Sequence, residues 1–275
     1  MVPIPTTREP IHVTHQQPLI VALDGPNAPL PSRPTFPEQA VSLRVRSVDG
    51  LLPIAEHVPG GVVLVRAESF SRPADLHRWR SCHPADWLTA LCLSLNMASV
   101  SAALSWLAEW PLPILLDQPV GVSMRHDVGA LADHAPAIRE SCRLLPWFVP
   151  RLVAVKPIVA AALIAPYASP QPPNSLKQLA ARCRLSERHL HRLLLALGIP
   201  SSYMFLATSR VMRAYGEVVR RELSLSEIAH RFGFGSVKTL KSQWADVTGG
   251  GLERAHSFPL SDAAVRAMAE RALVF

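Results

Sequence analysis

Short apolar runs alternate with helix-like segments from residue 41 to residue 145. The runs VSLRVRS (Val41 to Ser47), GVVLVRA (Gly61 to Ala67), DWLTALCLSL (Asp86 to Leu95) and LPILLD (Leu112 to Asp117) are apolar along most of their length. They predict strands buried on both faces. Between and after them, DGLLPIAEHVPG, PADLHRWRSC, VSAALSWLAEW (Val100 to Trp110) and GALADHAPAIRESCRLL (Gly129 to Leu145) read as helices. That alternation predicts βαβ units and a small parallel sheet covered by helices. Upstream, nine of the 26 prolines fall within the first 40 residues, and only PLIVALDG (Pro18 to Gly25) reads as a strand there. Residues 1–39 are expected to form a partly irregular, proline-rich arm.

Past Pro146, Pro150 and Pro157 the pattern becomes helical throughout. IVAAALIAPYA (Ile158 to Ala168) reads as a helix, and SPQPPNS leads to a helix cap at Asn174 or Ser175. From Ser175 to Gly198, one helix buries Leu176, Leu179, Ala180 and Cys183. Leu185 sits in a turn, Ser186 caps a second helix, and Leu190, Leu193 and Leu194 form that helix's core positions. A long helix follows from Ser201 to about Arg221. From Ser224 to Gly249 the pattern recurs: Leu225, Ile228, Ala229 and Phe232, a break at Gly233-Phe234-Gly235, then Leu240 and Trp244. Two helices joined by a glycine-containing turn form a helix-turn-helix. Ala180 and Ala229 occupy matching places 49 residues apart, where a small side chain lets the two helices cross closely. Polar residues stand between the buried ones: Arg188, His189, His191 and Arg192 in the first unit, and Ser236, Lys238, Thr239, Lys241 and Gln243 in the second. In an ordinary helical protein such faces are merely solvated; in tandem they are faces that can lie in a DNA groove.

Charge sharpens this picture. From 171 to 256 there are thirteen Lys and Arg against six acids, an excess equal to the net charge of +7 of all 275 residues. A basic C-terminal part joined to a near-neutral N-terminal part points to a polyanion partner for the former. Cys82, Cys92, Cys142 and Cys183 are widely spaced and read as reduced thiols. With no signal-peptide pattern and no apolar run of membrane-spanning length, a cytoplasmic protein without membrane contact is expected.

Candidate chemistry is sparse. The chain has no GxGxxG after a strand, no GxxxxGK[ST] and no GxSxG. His77, Cys82 and His83 lie close in sequence but lack a fourth ligand at zinc-site spacing. Ser123, His126 and Asp127 are neighbours without further support for acid–base chemistry. Neither an enzyme nor a metal or other cofactor is expected.

The segments LAARCRLSERHLHRLL, LGIPSSYMF, Arg210 with Ala214, LSLSEIAHRFGFGS and Thr248-Gly249 follow one another in an order that carries a specific resemblance. Residues from about Ile158 to His256 resemble the DNA-binding domain of the AraC/XylS family of transcription regulators. The resemblance implies two helix-turn-helix units, held by a linker helix, that reach successive major-groove segments of double-stranded DNA. It implies base- and phosphate-facing roles for Arg188, His191 and Arg192, and for Ser236, Val237, Lys238, Lys241 and Ser242 in the second unit. It also implies structural roles for Ala180, Leu190, Arg210, Ala214, Ile228, Ala229, Gly233, Phe234 and Trp244. The second unit departs from the family pattern. Leu240, Lys241 and Ser242 stand where an aromatic, a Ser and an Arg are usual, and the Pro and Tyr-Arg expected after Thr-Gly are replaced by GGGLERAH. Weaker second-site binding and a loosened end of that helix are therefore expected. The N-terminal half resembles receiver or flavodoxin-like domains in topology only. It lacks the clustered strand-end acids and the Lys of a phosphoacceptor, with Asp117 at the last strand, and its βα alternation argues against a cupin-like sensor barrel.

The expected architecture is an α/β N-terminal domain with a small, parallel, receiver-like sheet plus an all-α C-terminal domain of two helix-turn-helix units joined by a linker helix. Its boundaries are the arm at 1–39, a regulatory or dimerisation domain at 40–150, a DNA-binding domain at 151–260 and a helix or tail at 261–275. The implied function is sequence-specific transcription regulation, with homodimerisation through the N-terminal domain and an effector or partner protein as further interactions. The alternative is a protein-interaction adaptor with a degenerate DNA-binding domain.

Overall fold

The computed structural model describes residues 19–23, 41–45, 48–58, 60–66, 73–82, 87–116, 123–220, 222–257 and 260–273. The chain is mostly helical, with one small parallel sheet. Its five described strands are β1 (Leu19–Leu23), β2 (Val41–Val45), β3 (Gly61–Arg66), β4 (Trp87–Leu93) and β5 (Ile114–Leu116). They run in the order β2-β1-β3-β4-β5 with every neighbouring pair parallel. This is the strand order of doubly wound, flavodoxin-type sheets. β4 is buried along its whole length, as its continuous apolar run predicts.

β1 differs from its expected setting. It lies inside the sheet between β2 and β3, with Val21 in register with Leu43 and Val63, so the sheet draws an interior strand from the proline-rich segment. The rest of that arm lies outside the described residues.

The helices α1 (Val48–His57), α2 (Pro73–Cys82), α3 (Met97–Glu109), α4 (Ser123–Cys142) and the single turn α5 (Leu145–Phe148) accompany the strands. α3 starts earlier than its apolar spacing shows because the Asn96 side chain caps it, accepting from the Ser99 backbone N–H at 2.8 Å. α1 packs on α2 and β2, while α3 packs on β4 and α4 on β5. Trp79 and Trp87 meet edge to face at 6.3 Å, and each indole N–H has a partner, Thr89 Oγ1 at 2.8 Å and the Val58 carbonyl at 3.0 Å. Gly61 is required by close approach, since a Cβ there would lie 2.8 Å from the Trp87 ring.

A 3-10 turn (Val149–Leu152) leads to α6 (Pro157–Ala168), then α7 (Leu176–Cys183), α8 (Glu187–Ala196), α9 (Ser202–Arg220), α10 (Leu225–Arg231) and α11 (Val237–Thr248). A second 3-10 turn (Leu252–Ser257) precedes α12 (Asp262–Ala272). α6 is apolar all round and is buried from Val159 to Ala168, as befits a central helix. It packs against α3, α4, α7 and α9. Phe148, Tyr167 and Phe205 form a ring cluster with centroid separations of 4.9 to 5.6 Å, closed by the Tyr167 hydroxyl donating to the Phe205 carbonyl at 2.7 Å. α4 runs along α9, and the apolar core continues without a break from the sheet into the helical half.

Within the helical half, one buried cation fastens α9 to α6. Arg213 of α9 donates from Nε to the Pro166 carbonyl at 3.0 Å and from its terminal nitrogen to the Ser169 carbonyl at 2.6 Å. These carbonyls lie at the C-terminal end of α6, where the helix dipole favours positive charge. Burial draws the guanidinium down to about 10, which leaves it charged at neutral pH. Burial also pushes the Cys183 thiol up to about 11 and that of Cys142 higher still, so neither is a reactive thiolate.

A polar contact between the halves is sensitive to protons. Arg231, in the last turn of α10, donates to the Asp133 carbonyl of α4 at 3.3 Å and approaches His134 Nδ1 at 3.4 Å. Burial, then the Arg231 cation, holds the His134 pKa below its ordinary value of 6.5. The unfolded chain therefore binds this proton at higher pH than the folded protein does. The stabilising state, neutral His134, is complete above pH 6.5, and its contribution is lost as pH falls from there through the folded pKa. His134→Gln is expected to flatten the dependence of the urea midpoint on pH in that range; an unchanged pH dependence would contradict this assignment.

Candidate nucleic-acid interface

The helices α7 and α8 form one pair and α10 and α11 a second, with α9 touching α7, α10 and α11. Each helix after a turn begins at a serine whose side chain caps it. Ser175 accepts from Gln178, Ser186 from His189, Ser224 from Glu227 and Ser236 from Thr239. At Ser224 the Glu227 carboxylate returns the bond to the Ser224 backbone N–H at 2.8 Å, completing a capping box. Hydrogen bonding to the Ser224 side chain, then to its backbone N–H, holds the Glu227 pKa below the ordinary glutamate value.

The two pairs are duplicates up to one residue. Ser175 corresponds to Ser224, Ala180 to Ala229 and Leu185 to Phe234. Leu185 and Phe234 each donate their backbone N–H to the matching alanine carbonyl, at 3.0 and 2.8 Å. Gly235, with φ of +74°, is an extra residue in the second turn, so the caps Ser186 and Ser236 are offset by one more position. Leu190 then corresponds to Leu240, and Leu194 to Trp244. Ala180, Leu190, Ala214, Ile228, Ala229, Phe234 and Trp244 are all buried. Trp244 stacks on Tyr215 of α9 at 5.2 Å and 15°. Arg210 of α9 donates to the Gly233 carbonyl at 3.2 Å and lies over the Phe234 ring at 5.8 Å, fastening the second turn to the linker helix. Tyr203, near the start of α9, donates to Asp246 of α11 at 3.0 Å.

Gly233 has φ of +70°, and a Cβ there would approach the Asn174 side chain to 3.2 Å. Gly233→Ala is expected to destabilise the protein by about 1–3 kcal/mol, measured by urea unfolding, because an L side chain in the left-handed region is strained whatever the space. The corresponding residue of the first turn is Arg184, the only described non-glycine residue with positive φ, at +56°. Its left-handed backbone costs roughly 1–2 kcal/mol relative to a relaxed conformation. Nothing in the residue type announces that conformation; only alignment of the two turns shows Arg184 where the second has glycine.

The cations divide into two sets. Arg151, Arg182, Arg210, Arg213, Arg231 and Arg271 donate to backbone carbonyls, and Arg220 pairs with Glu217. By contrast, the side chains of Lys156, Lys177, Arg184, Arg188, Arg192, Lys238 and Lys241 are exposed and make no hydrogen bond or ion pair with the described residues. Four of these seven lie on α8 and α11. His189 and His191 are also exposed on α8, as is Ser242 on α11. Two residues of the expected second face are otherwise engaged. Val237 is half-buried against the core, and the Ser236 hydroxyl is occupied by Thr239, accepting from its backbone N–H at 3.1 Å and lying 2.9 Å from its Oγ1. Gln243, polar in sequence, is buried.

The end of α11 is held more firmly than its three glycines imply. Gly249 takes the left-handed C-cap position with φ of +74° and donates to the Ala245 carbonyl. Arg271 of α12 donates to the Val247 carbonyl at 3.0 Å, and α12 packs on α11 and α9.

Elsewhere, His77 lies 3.6 Å from Glu109 and beside the Trp106 ring. His83 lies outside the described residues, as do the side chains of Ser123, His126 and Asp127. Among the described residues there is no cluster of three or more His, Cys, Asp or Glu that could hold a metal ion, and no helix long and apolar enough to cross a membrane. Comparison with protein-family models, curated proteins and solved structures finds no match to this chain.

Proposed function

We propose that the protein is a sequence-specific, double-stranded-DNA-binding transcription regulator whose two helix pairs are helix-turn-helix units of the AraC/XylS type. The observation that carries this reading is the grouping of cations: most described arginines off the exposed faces of α8 and α11 serve carbonyls or carboxylates, whereas Arg188, Arg192, Lys238 and Lys241, four cations on two duplicated helices, have no partner among the described residues. Keeping long charged side chains unpaired on two duplicated helices suits a polyanion, because each neutralised phosphate releases counterions. The exposed face of α8 adds Arg188 in its first turn and His191 with Arg192 in its second, which can donate to base edges or phosphates.

In this reading the units share the work unequally. Arg188 and Arg192 can each make a bidentate bond to guanine, while Lys238 and Lys241 mainly grip phosphates. Ser236 and Val237 support α11 and do not read bases. The parallel-sheet half, joined to the reading half through α4 and α9, is the regulatory or dimerising part.

Selection of bound duplexes from a library of genomic fragments, using the full chain, tests the proposal. A recurring sequence among the bound fragments is the expected result. Salt-sensitive binding without enrichment would reduce the function to unspecific DNA contact, and no binding at all would favour an adaptor that meets other proteins through the same helices.

A further inference from the structure

We propose that Arg184 is a phosphate-gripping residue of this interface, held over the first turn so that its guanidinium meets the backbone of the duplex beside the N-terminus of α8. The inference rests on the reading of α8 as a DNA-facing helix and adds to it a contact residue outside the helix itself. Three observations converge on Arg184. Its backbone is in the left-handed region, which an arginine occupies at a cost that glycine would avoid. The duplicate turn has Gly233 at the matching place, where Asn174 closes over the Cα. Finally, the Arg184 side chain is exposed and has no partner among the described residues, whereas Arg182, two residues earlier, is bonded to the Gln171 carbonyl.

The Arg184 backbone ends α7 as its left-handed C-cap, donating to the Ala180 and Ala181 carbonyls, a role that glycine fills at lower cost, while the guanidinium itself has no partner in the described fold. Its position identifies the partner's chemistry. Arg184 stands two residues before Ser186, the cap of α8, and Arg188 stands two residues after that cap. In sequence the two arginines thus bracket the cap of α8, at whose N-terminus unpaired backbone N–H groups and the helix dipole favour an anion. An anion that accepts from such a group without disturbing base reading is a duplex phosphate.

The test compares the full-length protein with Arg184→Gly and Arg184→Lys by fluorescence anisotropy on a mixed-sequence duplex over a salt series, alongside thermal unfolding. The two measurements are expected to move in opposite directions for glycine. Melting should rise by about 2–4 °C as the left-handed strain is relieved. Affinity should fall roughly 3- to 10-fold whatever the sequence, and the slope of log K against log salt should shrink by about 0.9. The lysine variant should keep the wild-type slope and melting temperature. Wild-type affinity and slope in Arg184→Gly would overturn the inference while leaving the reading of α8 intact, as would a fall in its melting temperature. A wild-type protein that fails to bind any duplex would overturn both.

Discussion

Arg192→Ala is expected to lower affinity for the selected duplex by about 5- to 100-fold, whereas Lys241→Ala lowers it only about 2- to 5-fold. The first figure follows from about 1–3 kcal/mol of discrimination per bidentate arginine–guanine contact, with 1.4 kcal/mol for each factor of ten. The second reflects the loss of one phosphate contact, which acts through counterion release and is similar for all sequences. Both side chains are exposed and unpaired among the described residues, so neither substitution removes a bond that supports the fold. Titration of each variant against the selected site and a scrambled duplex separates the two roles. Arg192→Ala should narrow the gap between the two duplexes, and Lys241→Ala should leave it. Equal losses would remove the asymmetry between the two units.

Trp244→Ala is expected to destabilise the protein by about 3–5 kcal/mol, the range for truncating a large aromatic in a packed core. Trp244 is 1% exposed and stacks on Tyr215, so its removal opens the interface between α11 and α9. Tyr203 with Asp246 and Arg271 with Val247 would still tether α11 from its two sides, but neither fills the vacated volume. Urea unfolding measures the loss, and Trp244→Phe, which keeps a ring against Tyr215, should recover part of it. A loss below about 1 kcal/mol in Trp244→Ala would mean that this ring stack does not hold α11 in place.

Much of the local structure was readable because it depends on local rules. The caps at Ser186 and at Asn174 or Ser175, of which Ser175 is the one used, the small Ala180 and Ala229, and the apolar runs of β3 and β4 announce themselves by residue type and spacing. What was hidden depends on contacts distant in sequence. A five-residue strand among prolines gives no hint that β1 pairs on both sides. The contact of α4 with α9 joins helices whose nearest residues in sequence, Cys142 and Ser202, are 60 positions apart, and the Arg231–His134 approach joins residues 97 apart. A charge count treats Arg213, buried on carbonyls, and Arg192, exposed and unpaired, as the same object. Polarity also misplaced Gln243, which is buried, while Val237 turned inward because it starts a helix whose first turn abuts the core. The expected loosening after Thr248 considered only three glycines and not Arg271, which arrives from α12.

The most direct test of two reading units on one duplex is a hydroxyl-radical footprint on the selected site. Two protected patches on the same face of the DNA, about one helical turn or 10 base pairs apart, are predicted. The Arg188→Ala, Arg192→Ala double variant should erase one patch and weaken the other. A single patch in the wild-type protein, or protection without any preferred position, would contradict the account.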